Sequence, residues 1–330
     1  MVKNKTVHID DLQPYGPVST FSDQAKTLVR YQQAYWKLAK KNYEGLEKVE
    51  SKSFDFGSFI VKVQFNPERI RSTAAKTDAK SIAERPCFLC SDNLPPEQRG
   101  LLLFDKYLVL TNPFPIFPVH LTISDFNHTP QRIEGRIDDM LEITKALDGF
   151  TVFYNGPECG ASAPDHFHFQ AAQKGFIPAE KEVETNSDII FNSAKAIVRS
   201  SKKYLRQFVS IVSSEKEILK NHFQKFYNML KTRGQKPEPM MNILCQWEGG
   251  KWHLTVFPRD KQRPSHFYME DPEKIVVGPA AVEMGGLIIL PRKDDFEKIT
   301  KKDISEIYNE VTINKTNFTK LTASVFPGTE

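Results

Sequence analysis

Residues 165–170 read Asp165-His166-Phe167-His168-Phe169-Gln170, a stretch in which polar and aromatic side chains alternate. Strict alternation is typical of a β-strand whose two faces have different surroundings. The pattern predicts that His166, His168 and Gln170 point to one face and that both phenylalanines point into a core. A half-exposed strand that happens to carry two histidines is the simpler alternative for any isolated His-x-His motif.

The segment just before this strand is a loop of small and turn-forming residues. It contains Gly156, Pro157, Gly160, Ser162 and Pro164. Such residues favour turns, and successive backbone N–H groups in a turn can bind an anion. Imidazole is partly neutral near pH 7 and can then act as a nucleophile. The loop and the strand together therefore predict a site that holds a phosphate against a histidine.

Composition and charge narrow the class of protein. The chain has 330 residues, of which 40% are hydrophobic and 26% charged, as in ordinary globular proteins. We expect no transmembrane helix and no signal peptide, because no apolar run is long enough and the N-terminal residues lack an apolar region. The protein is therefore expected to be cytoplasmic, without a membrane partner. The net charge of +4 suits an anionic substrate but does not indicate a nucleic-acid partner.

The four cysteines are too few for a disulfide framework. Two of them form a Cys-x-x-Cys motif, Cys87 and Cys90, which in a cytosolic protein indicates metal or redox chemistry. Cys159 and Cys245 belong to no motif and are expected to be buried packing residues. The basic stretch from Arg69 to Lys80 has two interpretations, a solvated surface or a rim that faces phosphate.

The second half of the chain resembles the first. Residues 252–259 repeat the alternation of the histidine strand, and alignment on His253 sets Thr255 against His168. Residues 282–291 resemble the stretch that ends at His120. Because the segments then follow in a different order, the pattern favours a diverged and rearranged duplication. We predict a first half over residues 1–178 and a second half over residues 179–330, with a helix over residues 23–48 and a helical insertion over residues 179–235. Without a nucleophile of its own, the second half would be structural or would supply cations such as Arg259, Lys261 and Arg263 to a shared cleft.

Three spacings then agree with one known pattern. Asn112 precedes His120 by eight residues, His120 precedes His128 by eight, and Asn155 precedes His168 by thirteen. With these spacings the chain resembles the histidine-triad superfamily. Gln170 in place of a third histidine resembles its nucleotidyltransferase/phosphorylase branch, which includes galactose-1-phosphate uridylyltransferase, diadenosine tetraphosphate phosphorylase and GDP-L-galactose phosphorylase. The resemblance covers residues 54–175 well and residues 240–300 weakly.

This resemblance implies a role for each motif residue. His168 would attack the α-phosphorus of a nucleotide and form a covalent intermediate. Gln170 would donate a hydrogen bond to the phosphate on that histidine, and Asn112 would contact the ribose hydroxyls. Asn155 and the loop N–H groups from Gly160 onward would hold the α-phosphate in the transition state. Ser162 is the candidate hydroxyl, but it lies one residue out of the usual pattern, so Ala163 is the alternative occupant of that position.

The resemblance also implies a structural zinc ion held by Cys87, Cys90, His128 and His166. Two thiolates and two imidazoles form a closed tetrahedral set, which would stabilise the fold and brace the strand that carries His168. A pair of buried thiols without a metal is the alternative.

These arguments lead to one expectation for the fold and one for the function. The fold class is α+β, with duplicated histidine-triad-like antiparallel half-sheets and helices packed outside. The function is transfer of a nucleoside monophosphate from a nucleotide sugar or a dinucleoside polyphosphate, through His168, to phosphate or a sugar 1-phosphate. A nucleotide-binding protein whose catalysis has lapsed is the alternative. The sequence specifies neither the base nor the oligomeric state. Phe59, Val61, Phe65 and Phe114 are candidates for the base pocket, with core packing as the alternative role.

Overall fold

Strands dominate the middle of the chain, and helices flank them. A computed structural model describes residues 2–70, 78–234 and 236–327. The strands are β1 (Glu50–Asp55), β2 (Ile60–Phe65), β3 (Gly100–Leu103), β4 (Tyr107–Thr111), β5 (His120–Asp125), β6 (Phe150–Asn155), β7 (His168–Gln173), β8 (Ser187–Asn192), β9 (Ala196–Ser201), β10 (Val209–Ser213), β11 (Met241–Glu248), β12 (Lys251–Pro258) and β13 (Leu287–Leu290).

The α-helices and shorter 3₁₀ helices lie before, between and after these strands. The α-helices are α1 (Ile9–Leu12), α2 (Phe21–Tyr35), α3 (Lys37–Glu44), α4 (Ala79–Ala83), α5 (Ile137–Ala146), α6 (Ala179–Glu182), α7 (Lys216–Lys231), α8 (Ala281–Met284), α9 (Lys293–Lys298), α10 (Lys301–Val311) and α11 (Lys315–Val325). The 3₁₀ helices are Val2–Lys5, Gln13–Tyr15, Gly45–Lys48, Pro67–Arg69, Ser91–Asn93 and Ser265–Phe267.

A ten-stranded antiparallel sheet contains two halves with the same topology. Its strand order is β3-β4-β5-β7-β6-β11-β12-β10-β9-β8. Each half is a three-stranded meander, then a helix, then a hairpin whose second strand pairs with the third strand of the meander. The helix is α5 in the first half and α7 in the second. The predicted α+β fold with duplicated half-sheets and helices packed outside is therefore confirmed.

The predicted rearrangement of the duplication is wrong. The counterpart of β5 is β10, in the same chain order, and β12 is the counterpart of β7. Residues 282–291, which resemble the stretch ending at His120, instead form part of α8 and β13. Strand β13 pairs in parallel with β2 in a separate three-stranded sheet. The two halves share one topology although their sequences are no longer similar, because strand pairing depends more on the alternation of apolar and polar residues than on residue identity.

The two halves join where β6 pairs with β11, and this pairing sets their correspondence. Phe153 and Leu244 are the middle pair of five. Counted outward from that pair through the hairpin registers, His253 corresponds to His168 and Thr255 to Gln170. The alignment expected from the sequence, which set Thr255 against His168, is therefore wrong by two residues. The second half keeps a histidine at the position of His168 but has no glutamine two residues later.

Two apolar cores lie on opposite faces of the large sheet. One core packs α2, α3, α5, α7 and α11 against it and contains Phe167 and Phe169, both fully buried as predicted. The other core packs the small sheet, α9 and α10 against residues such as Phe153 and Ala172. Because side chains alternate along β7, His168 and Gln170 share the second face with Ala172.

Two expectations about helices need correction. Among the described residues of the expected helical insertion, 179–234, only α6 and α7 are α-helical, and β8, β9 and β10 form part of the second half-sheet there. The helix expected over residues 23–48 is broken at Trp36, whose backbone is extended. Division of the chain between residues 178 and 179 stays a prediction. Among the described residues, no helix is long and apolar enough to span a membrane.

Replacement of Phe169 by alanine should remove a large part of the stability of the fold. Its ring is fully buried in the core and packs against the rings of Tyr107, Tyr154 and Phe167, so the change leaves a cavity. We expect the free energy of unfolding in urea to fall by about 3–5 kcal/mol. Phe104→Ala is the matched control because that ring is 54% exposed, and it should change the value by less than about 0.5 kcal/mol. Equal losses in the two variants would contradict the assignment of Phe169 to the core.

Candidate active site

A cleft of about 630 Å³ lies on the sheet face that carries His168 and Gln170. Its walls come from three parts of the chain: the N-terminal helices, the first half and the second half. The lining includes Trp36, Leu38, Arg69, Arg85, Phe88, Asn112, Phe114, Asn155, Gly160, Ser162, His168, Gln170, Gln262, Arg263 and Ala280.

The ring of His168 has a defined tautomer. Its Nδ1 lies 2.8 Å from the carbonyl oxygen of His166, which can only accept, so Nδ1 carries the proton and donates. Nε2 therefore keeps its lone pair, and no described residue hydrogen-bonds to it. Burial lowers the pKa of His168 to about 4, so the ring is neutral at neutral pH. His168 thus presents an unprotonated nitrogen in the cleft.

Gln170 is oriented by a histidine behind it. The backbone N–H of Ile116 donates to His120 Nδ1 at 3.3 Å, so the proton of His120 sits on Nε2. That Nε2 donates to Gln170 Oε1 at 2.9 Å. Burial lowers the pKa of His120 to about 3, which keeps this ring neutral as well. With Oε1 held from behind, the Gln170 amide is left with its two N–H groups as donors in the cleft beside His168.

Asn155 is oriented in the same way. Its Oδ1 accepts from Asn242 Nδ2 at 2.9 Å and from the backbone N–H of Ala281 at 2.7 Å. No described residue accepts a hydrogen bond from its Nδ2. The side chain is 5% exposed and lines the cleft. The amide of Asn155, like that of Gln170, is therefore available as a donor to an anion.

Asn112 also lines the cleft, but its side chain is engaged in the turn that carries it. Oδ1 accepts from the backbone N–H of Phe114 at 2.9 Å, and Nδ2 donates to Thr122 Oγ1 at 3.1 Å. One lone pair and one N–H remain for a ligand. Phe114 borders the cleft as well, whereas Phe59 and Val61, other sequence candidates for a base pocket, are core residues.

Gln131 is a site residue that sequence reasoning missed. Its Nε2 donates to the carbonyl oxygens of Asn155 and His168, at 3.0 and 2.9 Å, and its Oε1 accepts from the His168 N–H at 2.8 Å. It bridges β6 and β7 beyond the point where their own pairing ends. No motif signals it, because a glutamine in a loop is uninformative until the fold brings it between two strands.

The loop before β7 passes close to the second half. A Cβ atom built on Gly160 would lie 2.5 Å from Ala280 Cβ, and φ of Gly160 is +95°. The residue must therefore be glycine for two reasons, the backbone conformation and the space. Ser162 borders the cleft, whereas Ala163 is fully buried against Cys87 and Leu89. Of the two residues considered from sequence, Ser162 is the one within reach of a ligand.

Cys87, Cys90, His128 and His166 come together in one cluster. Cys87 Sγ lies 3.3 Å from His166 Nδ1, and Cys90 Sγ lies 3.3 Å from His128 Nδ1. Tetrahedral zinc with ordinary bond lengths sets sulfur and nitrogen about 3.6 Å apart. The four side chains can therefore hold a metal ion.

The second nitrogen of each histidine in this cluster faces an oxygen. His166 Nε2 donates to the carbonyl of Asp125 at 2.8 Å, and His128 Nε2 lies 3.8 Å from Asp165 Oδ2. Both rings thus aim Nδ1 at the cysteines, as metal ligands do. His166 lies in a bend just before β7 and does not share a face with His168. The predicted common face is therefore wrong for His166, since β7 begins only at His168.

The cations near the cleft differ from those expected. Arg69 lines it, Lys80 is exposed to solvent, and Arg71 and Lys76 lie outside the described residues. Among the cations that the second half was expected to contribute, Arg263 lines the cleft, whereas Arg259 is buried. Trp36 and Leu38, at the break between α2 and α3, were missed as wall residues because a helix break has no clear sequence signal here.

Two family models match the chain. Residues 28–173 match a domain of unknown function, DUF4922, and residues 180–329 match the GDPGP1-like C-terminal domain. No curated protein matches the sequence.

Solved structures of yeast Ap4A phosphorylase have a similar fold. The complex with AMP has a TM-score of 0.57 at 18% identity and covers 90% of this chain and 98% of the other. The complex with Ap4A has a TM-score of 0.54 at 18% identity and covers 84% and 96%. At these identities the likeness establishes the fold alone.

Replacement of Gly160 by alanine should destabilise the loop before β7. Gly175→Ala is the matched control, because Gly175 has φ +100° with open space around it. Strain from a positive φ costs both variants about 1–2 kcal/mol, and the contact with Ala280 should cost Gly160→Ala about 1–3 kcal/mol more. Urea unfolding of the two variants measures the difference. If both lose the same stability, the loop does not pack against Ala280 as described.

Proposed function

Because this chain has the fold of the nucleotidyltransferase/phosphorylase branch of the histidine-triad superfamily, we propose that it transfers a nucleoside monophosphate through His168. The donor is a nucleotide sugar or a dinucleoside polyphosphate, and the acceptor is phosphate or a sugar 1-phosphate. The observation that carries the proposal is the tautomer of His168, whose unprotonated Nε2 lies in the cleft beside two amides with free N–H groups.

In the first step, the lone pair of His168 Nε2 attacks the α-phosphorus of the donor. A P–N bond forms, and the bond from phosphorus to the bridging oxygen breaks. The leaving sugar phosphate or nucleoside polyphosphate takes that electron pair. The ring becomes positively charged, and the hydrogen bond from Nδ1–H to the His166 carbonyl strengthens as it does so. The amides of Gln170 and Asn155 donate to the non-bridging oxygens as charge shifts onto them.

In the second step, an oxygen of the acceptor attacks the same phosphorus, and the P–N bond breaks with its electron pair returning to Nε2. With phosphate as the acceptor the product is a nucleoside diphosphate. We favour phosphate because the structurally similar proteins are named phosphorylases. Arg69 and Arg263 border the cleft and give an anionic acceptor a favourable potential.

The geometry does not favour a lapsed enzyme. His120 and Gln131 do not line the cleft, so neither would be needed for simple binding of a nucleotide. His120 nevertheless fixes the orientation of the Gln170 amide, and Gln131 fixes the backbone of His168. Such preorganisation acts on a transition state more than on a bound ground state.

We further propose that the cluster of two cysteines and two histidines binds a structural zinc ion. The donor set is the one zinc prefers, and all four positions are filled by protein, which leaves none for substrate or water. The cluster would fix His166, and through the His166 carbonyl it would fix the ring of His168. Its contribution is therefore to hold the nucleophile in place.

The nucleophile assignment is tested by His168→Ala with intact-protein mass spectrometry. Wild-type protein mixed with nucleotide sugars and dinucleoside polyphosphates, without acceptor, should gain the mass of one nucleoside monophosphate. His168→Ala should show no adduct and a kcat lower by about 10⁴-fold or more, while nucleotide binding persists. His253→Ala is the control, since His253 is the counterpart in the second half. A surviving adduct in His168→Ala would refute the assignment.

The zinc proposal is tested by native mass spectrometry and urea unfolding. Wild-type protein should carry one zinc per chain, and Cys87→Ser with Cys90→Ser should carry none and unfold at a lower urea concentration, because metal binding contributes to folding free energy. Cys159→Ser makes the same chemical change at another buried cysteine and should keep the metal. Full zinc content in the double variant would place the ion elsewhere.

A further inference from the structure

A line of buried polar side chains runs from the second half of the chain to the candidate phosphate site. We propose that Asn242 and Arg259 are positioning residues that fix the amide of Asn155 with its N–H groups toward the α-phosphate. This inference rests on the proposed function, since it assigns the second half a part in the same reaction. It requires neither residue to touch the substrate.

The orientation of Asn155 is set from behind. An amide oxygen has two acceptor sites, and Asn242 Nδ2 and the Ala281 N–H occupy those of Asn155 Oδ1. Rotation of the amide by half a turn would bring its NH₂ group against two donors. The reversed orientation is therefore unfavourable, and the N–H groups face the cleft.

The orientation of Asn242 is set in turn by a residue that can only donate. Arg259 Nη1 donates to Asn242 Oδ1 at 2.6 Å, and a guanidinium has no acceptor. Asn242 Nδ2 must then face the other way, where it donates to Asn155 Oδ1 and, at 2.7 Å, to the carbonyl of Cys159. All the donors along this line point in one direction, from Arg259 toward the cleft.

Arg259 itself is fully engaged. It is 2% exposed, and its five N–H groups donate to Asn242 and to four backbone carbonyls. No carboxylate forms an ion pair with it among the described residues. The cost of burying such a charge is offset only by complete hydrogen bonding. The carbonyl partners are Val311 at 3.0 Å, Pro279 at 2.8 Å, Lys261 at 2.9 Å and Gln262 at 3.1 Å.

Three of these carbonyls, those of Pro279, Lys261 and Gln262, belong to the segments that carry Gln262, Arg263 and Ala280 to the wall of the cleft. Arg259 therefore ties the wall of the second half to the amide of the first. The purely structural alternative is that Arg259 and Asn242 only hold these segments together. The two interpretations differ in what happens when the direction of the hydrogen bonds is reversed without a change of shape.

Asn242→Asp makes that reversal. The carboxylate still accepts from Arg259 but cannot donate. Asn155 then turns its NH₂ group toward the carboxylate and its oxygen toward the cleft, because an amide oxygen against a buried carboxylate costs more than leaving the Ala281 N–H unpaired. An acceptor would then face the phosphate. We expect kcat for transfer to phosphate to fall about 100-fold or more, the usual loss for one transition-state donor. KM should change much less. The midpoint of urea unfolding should fall modestly, because the Cys159 carbonyl and the Ala281 N–H lose their partners and the new ion pair with Arg259 offsets only part of that loss.

The deciding measurement is a double-mutant cycle with Asn155→Ala. If Asn242 acts through Asn155, Asn242→Asp should lower kcat by less than about twofold in the Asn155→Ala background. Gln246→Met is the matched control, because Gln246 lies on the same strand and face but donates to Thr151 Oγ1. It should lower stability and leave kcat unchanged. Losses that multiply in the double variant would overturn the inference.

The same cycle on binding separates this inference from the proposed function. Dissociation constants for the four common nucleoside monophosphates can be measured by calorimetry whether or not the protein turns over. Non-additive losses of binding without any covalent adduct in the wild type would support the positioning roles and refute the reaction. If the wild type turns over but the losses of binding in the cycle are additive, the reaction would be supported and the positioning roles refuted. A wild-type protein that neither reacts nor binds a nucleoside monophosphate would overturn both.

Discussion

The hydrogen bond from His168 Nδ1 to the carbonyl oxygen of His166 is the contact on which the site depends. A carbonyl oxygen cannot donate, so this bond alone decides which nitrogen keeps the lone pair. The His166 side chain is held in turn by two cysteines and by the carbonyl of Asp125. A cluster that does not line the cleft thus holds the residue whose carbonyl fixes the tautomer of a ring inside the cleft.

The same principle recurs around the cleft. His120 holds the oxygen of Gln170, and Asn242 holds the oxygen of Asn155, so each amide is left with its donors facing inward. Each of these partners is itself fixed by a group that can only donate, the Ile116 N–H or the Arg259 guanidinium. Preorganised donors of this kind need little rearrangement as charge develops, which is the main electrostatic source of catalysis.

Duplication gives the second half a part in this arrangement. Since β6 pairs with β11, Asn155 and Asn242 are directly opposite each other across the junction. The second half has Thr255 where the first has Gln170, and His253 where the first has the nucleophile candidate His168. What it contributes to the site is support for Asn155 and a wall of the cleft.

Patterns among neighbouring residues in the sequence determined much of the fold and of the candidate site. Alternation of side chains identified β7 and the buried Phe167 and Phe169, and fixed spacings identified the asparagines and histidines that meet in the cleft and in the cluster of two cysteines and two histidines. These signals are visible because they depend on neighbours a few residues apart. The directions of the hydrogen bonds, the roles of Gln131, His120, Asn242 and Arg259, and the true correspondence of the two halves were decided only by tertiary structure. Each depends on groups that are far apart in the chain, and whether an amide donates or accepts is set by the partner that folding places beside it.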